Sequence, residues 1–489
     1  MKKINEILSQ PSIDEVIKDL KSGRGTELPA VAEYKRQLEP KQHKVMSEDE
    51  RPDKKVKVDN SNGAQNSGAY RTEKVNRIAL AIQKRIVKSA ASFLFGNPVN
   101  LIADTEGNDK KEDVFKALKK VEFDNKTRSL NKRISRIVSS ATEVAEYWYL
   151  VPTPEEDRYG FSAKFKLKCA IYDPLEGNTL YPYFDDYGDL VAFSRGFNIK
   201  GTDGKDVEYF ETFATVGEGD AEKKVHHYMW SKSEGGWTLS EGFPRVLETS
   251  KIPIVYGRQP AVEWEDVQGI IERLETLLSN FADTNDYFAS PTFFITGTIT
   301  GWARKGDTGK IIQGDDGAKA QILSWDRAPE SVKLEIETLM KLINTLTQTA
   351  DTSFDAMKDI GSISGVALKL LFTDAHLKVQ DKLEIFEEYL QRRYSVILSF
   401  LEKLNVKDKT FVDACRTISV EPEIRPYSIT DEREQVEIAL LASGNKPFVS
   451  QKTTIENMGW AKDAEAEYAQ LKEEEKAEMY TSITEPTEI

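Results

Sequence analysis

At 489 residues, with 39% hydrophobic and 30% charged side chains, the chain has the composition of a folded protein of about two to four domains. No apolar run reaches the roughly 18 residues that a membrane-spanning helix needs, and the opening Met1-Lys-Lys-Ile-Asn-Glu-Ile-Leu8 lacks the apolar stretch of a signal peptide. A net charge of −14 argues against tight nonspecific binding to nucleic acid, which needs clustered Lys and Arg, but not against a wall that a polyanion passes without sticking.

Residues 1–71 are polar and poor in apolar periodicity, and they read as loop or partly disordered. A short helix over Ile13–Leu20 is expected within them, with Ser12 as N-cap and Glu15 completing a capping box. From Thr72 the spacing of Val75, Ile78, Ala79, Ile82, Ile86, Ala90 and Phe93 predicts one amphipathic helix, stopped by Gly96-Asn-Pro98. Its bases, Arg77, Lys84, Arg85 and Lys88, read as a solvated face; residues 71–100 hold six bases and one acid. Two more helices are expected over 109–121 and 125–142. Residues 143–260 then turn β-like: short aromatic or β-branched runs separated by Gly, Asp and Pro predict a mostly antiparallel sheet, with a hairpin turn at Asp203-Gly204.

After Pro260 comes a long helix carrying Val267, Ile270, Ile271, Leu274, Leu277, Leu278, Phe281 and Phe288 on one side. Its other side is acidic: Glu263, Glu265, Asp266, Glu272, Glu275, Asp283 and Asp286 face a single base over residues 263–290. Pro291 ends it. Residues 291–329 read as a compact insert with strands at Thr292–Thr296 and Ala320–Trp325. A second long helix follows, with Val332, Ile336, Leu339, Met340, Ile343, Leu346 and Ala350 on one face, so the pattern is a helical hairpin with a knob at its tip. The link at 351–365 is long for a connection between packed helices, where two to eight residues usually suffice. It carries Asp351, Asp355, Lys358 and Asp359, and the small residues of Gly361-Ser-Ile-Ser-Gly365 open a third long helix. An extended, Pro-limited segment at 419–426 and three short helices over 430–479 complete the chain; residues 421–489 hold sixteen acids and seven bases.

Catalytic motifs fail. Gly306-Asp-Thr-Gly-Lys310 lacks the spacer of a phosphate loop, and Ile311 stands where a magnesium-holding hydroxyl would be needed. His226 and His227 are adjacent on a strand and so point to opposite faces. Asp185-Asp186 and Asp315-Asp316 read as solvated turns. Cys169 and Cys415 stand far apart and read as small buried hydrophobes. No catalytic residue, cofactor or metal is expected, and the chain does not read as an enzyme.

Four blocks, in this order, resemble the portal proteins of tailed bacteriophages, in particular those of siphophages of Gram-positive hosts. They are Asn76–Val87 with Phe95-Gly-Asn-Pro-Val99; Trp264-Glu-Asp-Val267 through Asp286-Tyr-Phe288; Ser364-Gly-Val-Ala-Leu-Lys369 with the helix behind it; and Leu440-Leu-Ala-Ser-Gly444 with Val449–Glu456. They span about residues 72 to 475; their order and spacing, more than any one block, carry the resemblance.

The resemblance implies an α+β fold with long stem helices, an antiparallel β-rich wing, a small inserted clip and a helical C-terminal crown. Its expected division is an N-terminal polar segment (1–71), wing (72–260), descending stem helix (261–290), clip (291–329), ascending stem helix (330–350), tunnel loop (351–365), long wing helix and return strand (366–426), crown (427–480) and tail (481–489). It implies a dodecameric ring at a capsid vertex of the virion, assembled in the host cytoplasm. Double-stranded DNA would be packaged, retained and ejected through it, with terminase large subunit, head-completion adaptor, and major capsid and scaffolding proteins as partners and no membrane. Glu265, Glu272, Glu275, Asp283 and Asp286 would line the channel. Asp351, Asp355, Lys358, Asp359, Ser362 and Ser364 would form the DNA-facing loop, and Arg304, Lys305, Lys310 and Lys319 the docking surface of the clip. The competing readings are a non-channel helical scaffold or adaptor of the virion, and an enzyme with a β-rich catalytic domain.

Overall fold

The computed structural model describes residues 2–57, 70–201, 204–217, 224–247, 249–288, 292–297, 299–301, 313–314, 317, 319–323, 328–350, 372–427, 451 and 466–474. The chain divides into two compact units: 1–353 with 372–427, and 354–371 with 428–489. Of the second unit, Gln451 and the helical stretch 466–474 are described, so most of the expected crown lies outside the described residues.

The first unit opens with α1 (Ile4–Leu8), α2 (Ile13–Ser22) and α3 (Val31–Leu38), then β1 (Lys54–Lys57) and β2 (Tyr70–Glu73), which pair antiparallel. Next come α4 (Ile82–Leu94), β3 (Asn100–Ala103), α5 (Asp109–Asn125) and α6 (Thr127–Ala141). The strand-rich region holds β4 (Glu143–Asp157), β5 (Ser162–Tyr172), β6 (Thr179–Phe184), β7 (Leu190–Lys200), β8 (Asp206–Val216), β9 (Lys224–Ser233), β10 (Gly236–Leu239), β11 (Arg245–Leu247) and β12 (Ile254–Arg258). Then follow α7 (Gln268–Phe288), β13 (Thr292–Thr296), β14 (Ile299–Gly301), β15 (Gln313–Gly314), β16 (Lys319–Leu323), α8 (Ala328–Leu346), α9 (Thr373–Leu404), α10 (Lys409–Thr417) and β17 (Val420–Glu423).

The expected antiparallel sheet is present as two: β12-β4-β5, and β10-β9-β8-β7-β6 with β11 beside β9. β7 and β8 pair as a hairpin up to Lys200 and Asp206; Asp203 of the expected turn lies outside the described residues. The adjacent histidines part as their alternation requires: His227 is buried against Glu211 at 2.8 Å, while His226 stacks on Tyr228 on the other face.

The larger sheet is covered on both faces. On one side Phe193, Phe213 and Val225 pack with Ala145, Ile254 and Tyr256. On the other, Phe210, Tyr181, Tyr183 and Trp230 pack under Ile7, Val16, Ile17 and Leu20 of α1 and α2. The N-terminal segment, expected to be polar and partly disordered, is therefore folded over the described residues 2–57. A few apolar positions in each helix suffice, because the sheet supplies the rest of the interface. The helix expected at Ile13–Leu20 is present as α2, but the Ser12 side chain makes no capping bond.

The main core joins α5, α6, α9, α10, β4 and β5 through Leu118, Val121, Ile134, Val138, Trp148, Leu167, Phe386, Leu390, Ile397 and Leu401. At its centre Arg393 of α9 and Glu146 of β4 are both fully buried and paired. β12 and α9 approach closely at Gly257. A Cβ on Gly257 would lie 2.5 Å from the Tyr389 ring, so only glycine fits there. Burial pushes the Cys415 thiol up to about 12 and Cys169 well above its ordinary value; Cys415 is buried as expected, while Cys169 is half-buried.

Candidate functional site

In α7, Glu275, Ser279 and Asp283 are spaced four apart and form one stripe. An extended stretch of the same chain, residues 74–81, runs along that stripe. The backbone N–H of Asn76 donates to Asp283 at 2.7 Å, that of Ile78 to the Ser279 hydroxyl at 2.9 Å, and that of Leu80 to Glu275 at 2.8 Å. The match is geometric: two residues of extended chain advance roughly 6.6 Å, and four residues of helix roughly 6.0 Å. Three rungs therefore stay in register. The side chain of Asn76 adds a bond to Asp286 at 2.7 Å.

Cations from the N-terminal segment seal this rail. Arg51 pairs with Asp283 at 2.7 Å and also holds Asn280 and the Asn76 carbonyl. Lys44 reaches Glu272 at 3.0 Å. His43 is buried, with one ring nitrogen 2.7 Å from Glu275 and the other 2.7 Å from the carbonyl oxygen of Gln37. Both partners accept hydrogen bonds, so the ring donates from both nitrogens and carries a positive charge. Burial works against that charge, but the hydrogen bond and charge of Glu275 outweigh it and raise the pKa above the ordinary histidine value.

Because the folded pKa is raised, the stabilisation from His43 is complete below about 6.5 and is lost as pH rises through the folded value. A His43→Gln chain is expected to lose about 2 kcal/mol at pH 6, the scale of a hydrogen bond to a charged group. Urea unfolding should show the gap to the parent chain narrowing by pH 9; a gap independent of pH would contradict the charged ring.

These contacts correct two expectations. The predicted helix from Thr72 begins ten residues later, at Ile82, because carboxylates and a hydroxyl on α7 take the N–H groups of the preceding stretch and hold it extended. The acidic face of α7 is not a free channel wall. Glu275 is 1% exposed, and Asp283 and Asp286 are engaged by Arg51 and Asn76 within the same chain. Glu272 is partly covered by Lys44, while Glu265 and, despite its bond from Asn76, Asp286 remain exposed. The missed residues His43 and Arg51 had one sequence signal: seven acids against one base over residues 263–290, an imbalance that cations elsewhere in the chain offset; Asn76 had none.

The apolar face of α7 packs on α8 as the hairpin pattern predicts. Trp264, Val267, Ile271 and Leu274 meet Ile343, Ile336, Leu339 and Met340, with Ile82, Ile86 and Val87 of α4 completing the cluster. Arg273 and Glu335 bridge the two helices at 2.7 Å. At the base of the hairpin, Glu263 is buried with Lys378, at 2.6 Å, and with Lys382. Lys378 also donates to the carbonyl of Thr347, just past α8, at 2.9 Å. Lys378 of α9 thus holds both the Glu263 carboxylate, ahead of α7, and the backbone just past α8.

At the hairpin tip β13 pairs antiparallel with β16, joining the two strands expected in the insert. Lys319 begins β16 and is exposed; Arg304, Lys305 and Lys310 lie outside the described residues. So do all six loop residues, Asp351, Asp355, Lys358, Asp359, Ser362 and Ser364.

The family model described as "Phage portal protein, SPP1 Gp6-like" matches residues 17–480. The chain belongs to this phage portal family. The portal match starts within α2 and takes in α3, His43 and Arg51, so the part of the N-terminal segment that seals the rail lies inside the family region, while α1 lies outside it. No curated protein sequence gives a significant match. Among solved structures, the portal chain is similar to chains in the neck of an empty GTA particle computed with C6 symmetry. The identity there is 11%, with 77% of this chain and 90% of the other covered, at a TM-score of 0.37. A chain in the neck of the native GTA particle computed with C12 symmetry gives 11% identity, 77% and 89% coverage, and a TM-score of 0.38. The portal family is structural and not catalytic, and no helix among the described residues is long and apolar enough to cross a membrane.

Proposed function

We propose that copies of this chain form a dodecameric ring at a capsid vertex, a channel through which double-stranded DNA is packaged, retained and ejected. The observation that carries this reading is the family match over residues 17–480. The paired long helices α7 and α8, with a strand-bearing insert between them, support their assignment as stem and clip. The strand-rich region with α9 would be the wing, and residues 427–480 the crown. Terminase large subunit and then a head-completion adaptor would dock on the clip, around Arg304, Lys305, Lys310 and Lys319, while capsid and scaffolding proteins would meet the outer wing.

Within the channel, Glu265 would face the bore, where like charge keeps DNA from adhering. The segment 351–365 would be the tunnel loop, with Lys358 meeting phosphates, Asp351, Asp355 and Asp359 limiting how tightly it holds them, and Ser362 and Ser364 at the loop's exit. Nucleotide hydrolysis would belong to the terminase.

Electron microscopy of the purified chain is the direct test. End-on views are expected to show rings with a central hole; a monomer or small dimer would favour a non-channel scaffold. A Lys358→Glu chain is expected to assemble rings normally and to package or retain DNA at least tenfold less well in a packaging assay. Unchanged packaging would remove Lys358 from the DNA path.

A further inference from the structure

The basic residues of α4, expected to form a solvated face, border a cavity of about 400 Å³ away from the acidic rail of α7. Its described lining is Ala81, Lys84, Arg85, Lys88, Ser89 and Ser92 from the α4 region, with Thr349 and Ala350 closing one side. Among the described residues that line it there are three cations, three hydroxyls and no carboxylate. The opposite face of α4 is fixed in the core by Ile82, Ile86, Ala90 and Leu94, so the basic face cannot rotate inward. Lys84 touches Glu39 at 3.2 Å, but both side chains are more than 40% exposed, and such a contact is weak and screened by salt. Lys88 is exposed and makes no ion pair with a described carboxylate, so positive charge remains on this face in a chain whose net charge is −14.

We propose that this face of α4 binds the phosphate backbone of double-stranded DNA. The chemistry is that of a phosphate contact: cations for the charge, and Ser89 and Ser92 hydroxyls as neutral donors to phosphate oxygens. The dimensions favour a polymer over a single anion. From Ala81 to Ser92 the stripe is roughly 16 Å long, and Lys84 and Lys88 stand roughly 6 Å apart along the axis. The cavity is also bounded by Thr349 and Ala350, the last described residues before the segment proposed to meet DNA. That the ligand is DNA rests on the portal reading; the anion-binding character of the stripe rests on its side chains alone.

The test is binding of a short blunt duplex DNA to the full chain across a range of salt concentrations, for the parent and for Lys84→Gln/Lys88→Gln. Each phosphate contact contributes about 0.9 to the slope of log affinity against log salt. Loss of two contacts should reduce that slope by about 1.8 and weaken binding at least tenfold at low salt. The single Lys88→Gln chain, which leaves the Lys84–Glu39 contact intact, should show about half the slope change. An unchanged slope in both variants would overturn the proposal, as would saturable binding of inorganic phosphate that both substitutions abolish while DNA binding persists. Ring formation by both variants, read by electron microscopy, separates the two readings: rings with an unchanged slope would leave the portal function standing and remove only the α4 contact.

Discussion

An Arg393→Met chain is expected to lose about 3–5 kcal/mol of stability, the cost of leaving a buried charge without its partner. Arg393 is fully buried in α9. Its Nε donates to both oxygens of Glu146, at 3.1 and 3.0 Å, a second nitrogen also pairs with Glu146, and a third donates to Asn131 at 2.6 Å. Glu146 also accepts from the Trp148 indole at 2.9 Å. Methionine would fill much of the volume but would leave the Glu146 carboxylate in the core without a cation. A Glu146→Leu/Arg393→Met chain should recover most of the loss, because a well-packed apolar pair often matches a buried ion pair. Denaturant midpoints of the two variants check this; a single variant within about 1 kcal/mol of the parent would refute the role of the charge.

Glu263→Gln is the second large effect, again about 3–5 kcal/mol, and it should loosen a defined place. The three charged side chains at the base of the hairpin are each about a tenth exposed. Removing the carboxylate would leave Lys378 and Lys382 buried beside each other. Burial opposes ionisation of Glu263, but Lys382 and Lys378 outweigh it and hold its pKa below the ordinary carboxylate value. Burial lowers the pKa of Lys378 against the pull of Glu263, so this lysine depends on the carboxylate to stay charged. Since the folded pKa of Glu263 is depressed, its contribution is complete above about 4.3 and is lost as pH falls through the lower folded value. Hydrogen exchange in the Glu263→Gln chain should rise around 259–271 and 343–350 while the β7–β8 pairing stays protected. Exchange rising equally everywhere would mean that the cluster holds no particular joint.

Much of the architecture was legible in the sequence because it follows from short-range periodicity. The three-four spacing in α7, α8 and α9, the aromatic and β-branched runs of the wing, and the two strands of the insert each identify an element from its own residues. The four blocks that resemble portal proteins were legible for the same reason, since order and spacing along the chain are sequence properties. The candidate site was legible only in part: the acidic stripe on α7 could be located, but not what it faces.

That partner was decided by tertiary structure. Residues 74–81 have helical spacing, yet they are extended because Glu275, Ser279 and Asp283, some two hundred residues away, offer acceptors at the repeat of an extended chain. The helix at Ile13–Leu20 was legible from its own spacing, but not that it is buried, which follows from the second apolar face of the wing sheet. The sequence by itself determined which segments are rods and strands and where the charges sit along them. Whether an acidic face meets solvent or its own chain depends on contacts between residues far apart in sequence, and local pattern carries no information about such pairs.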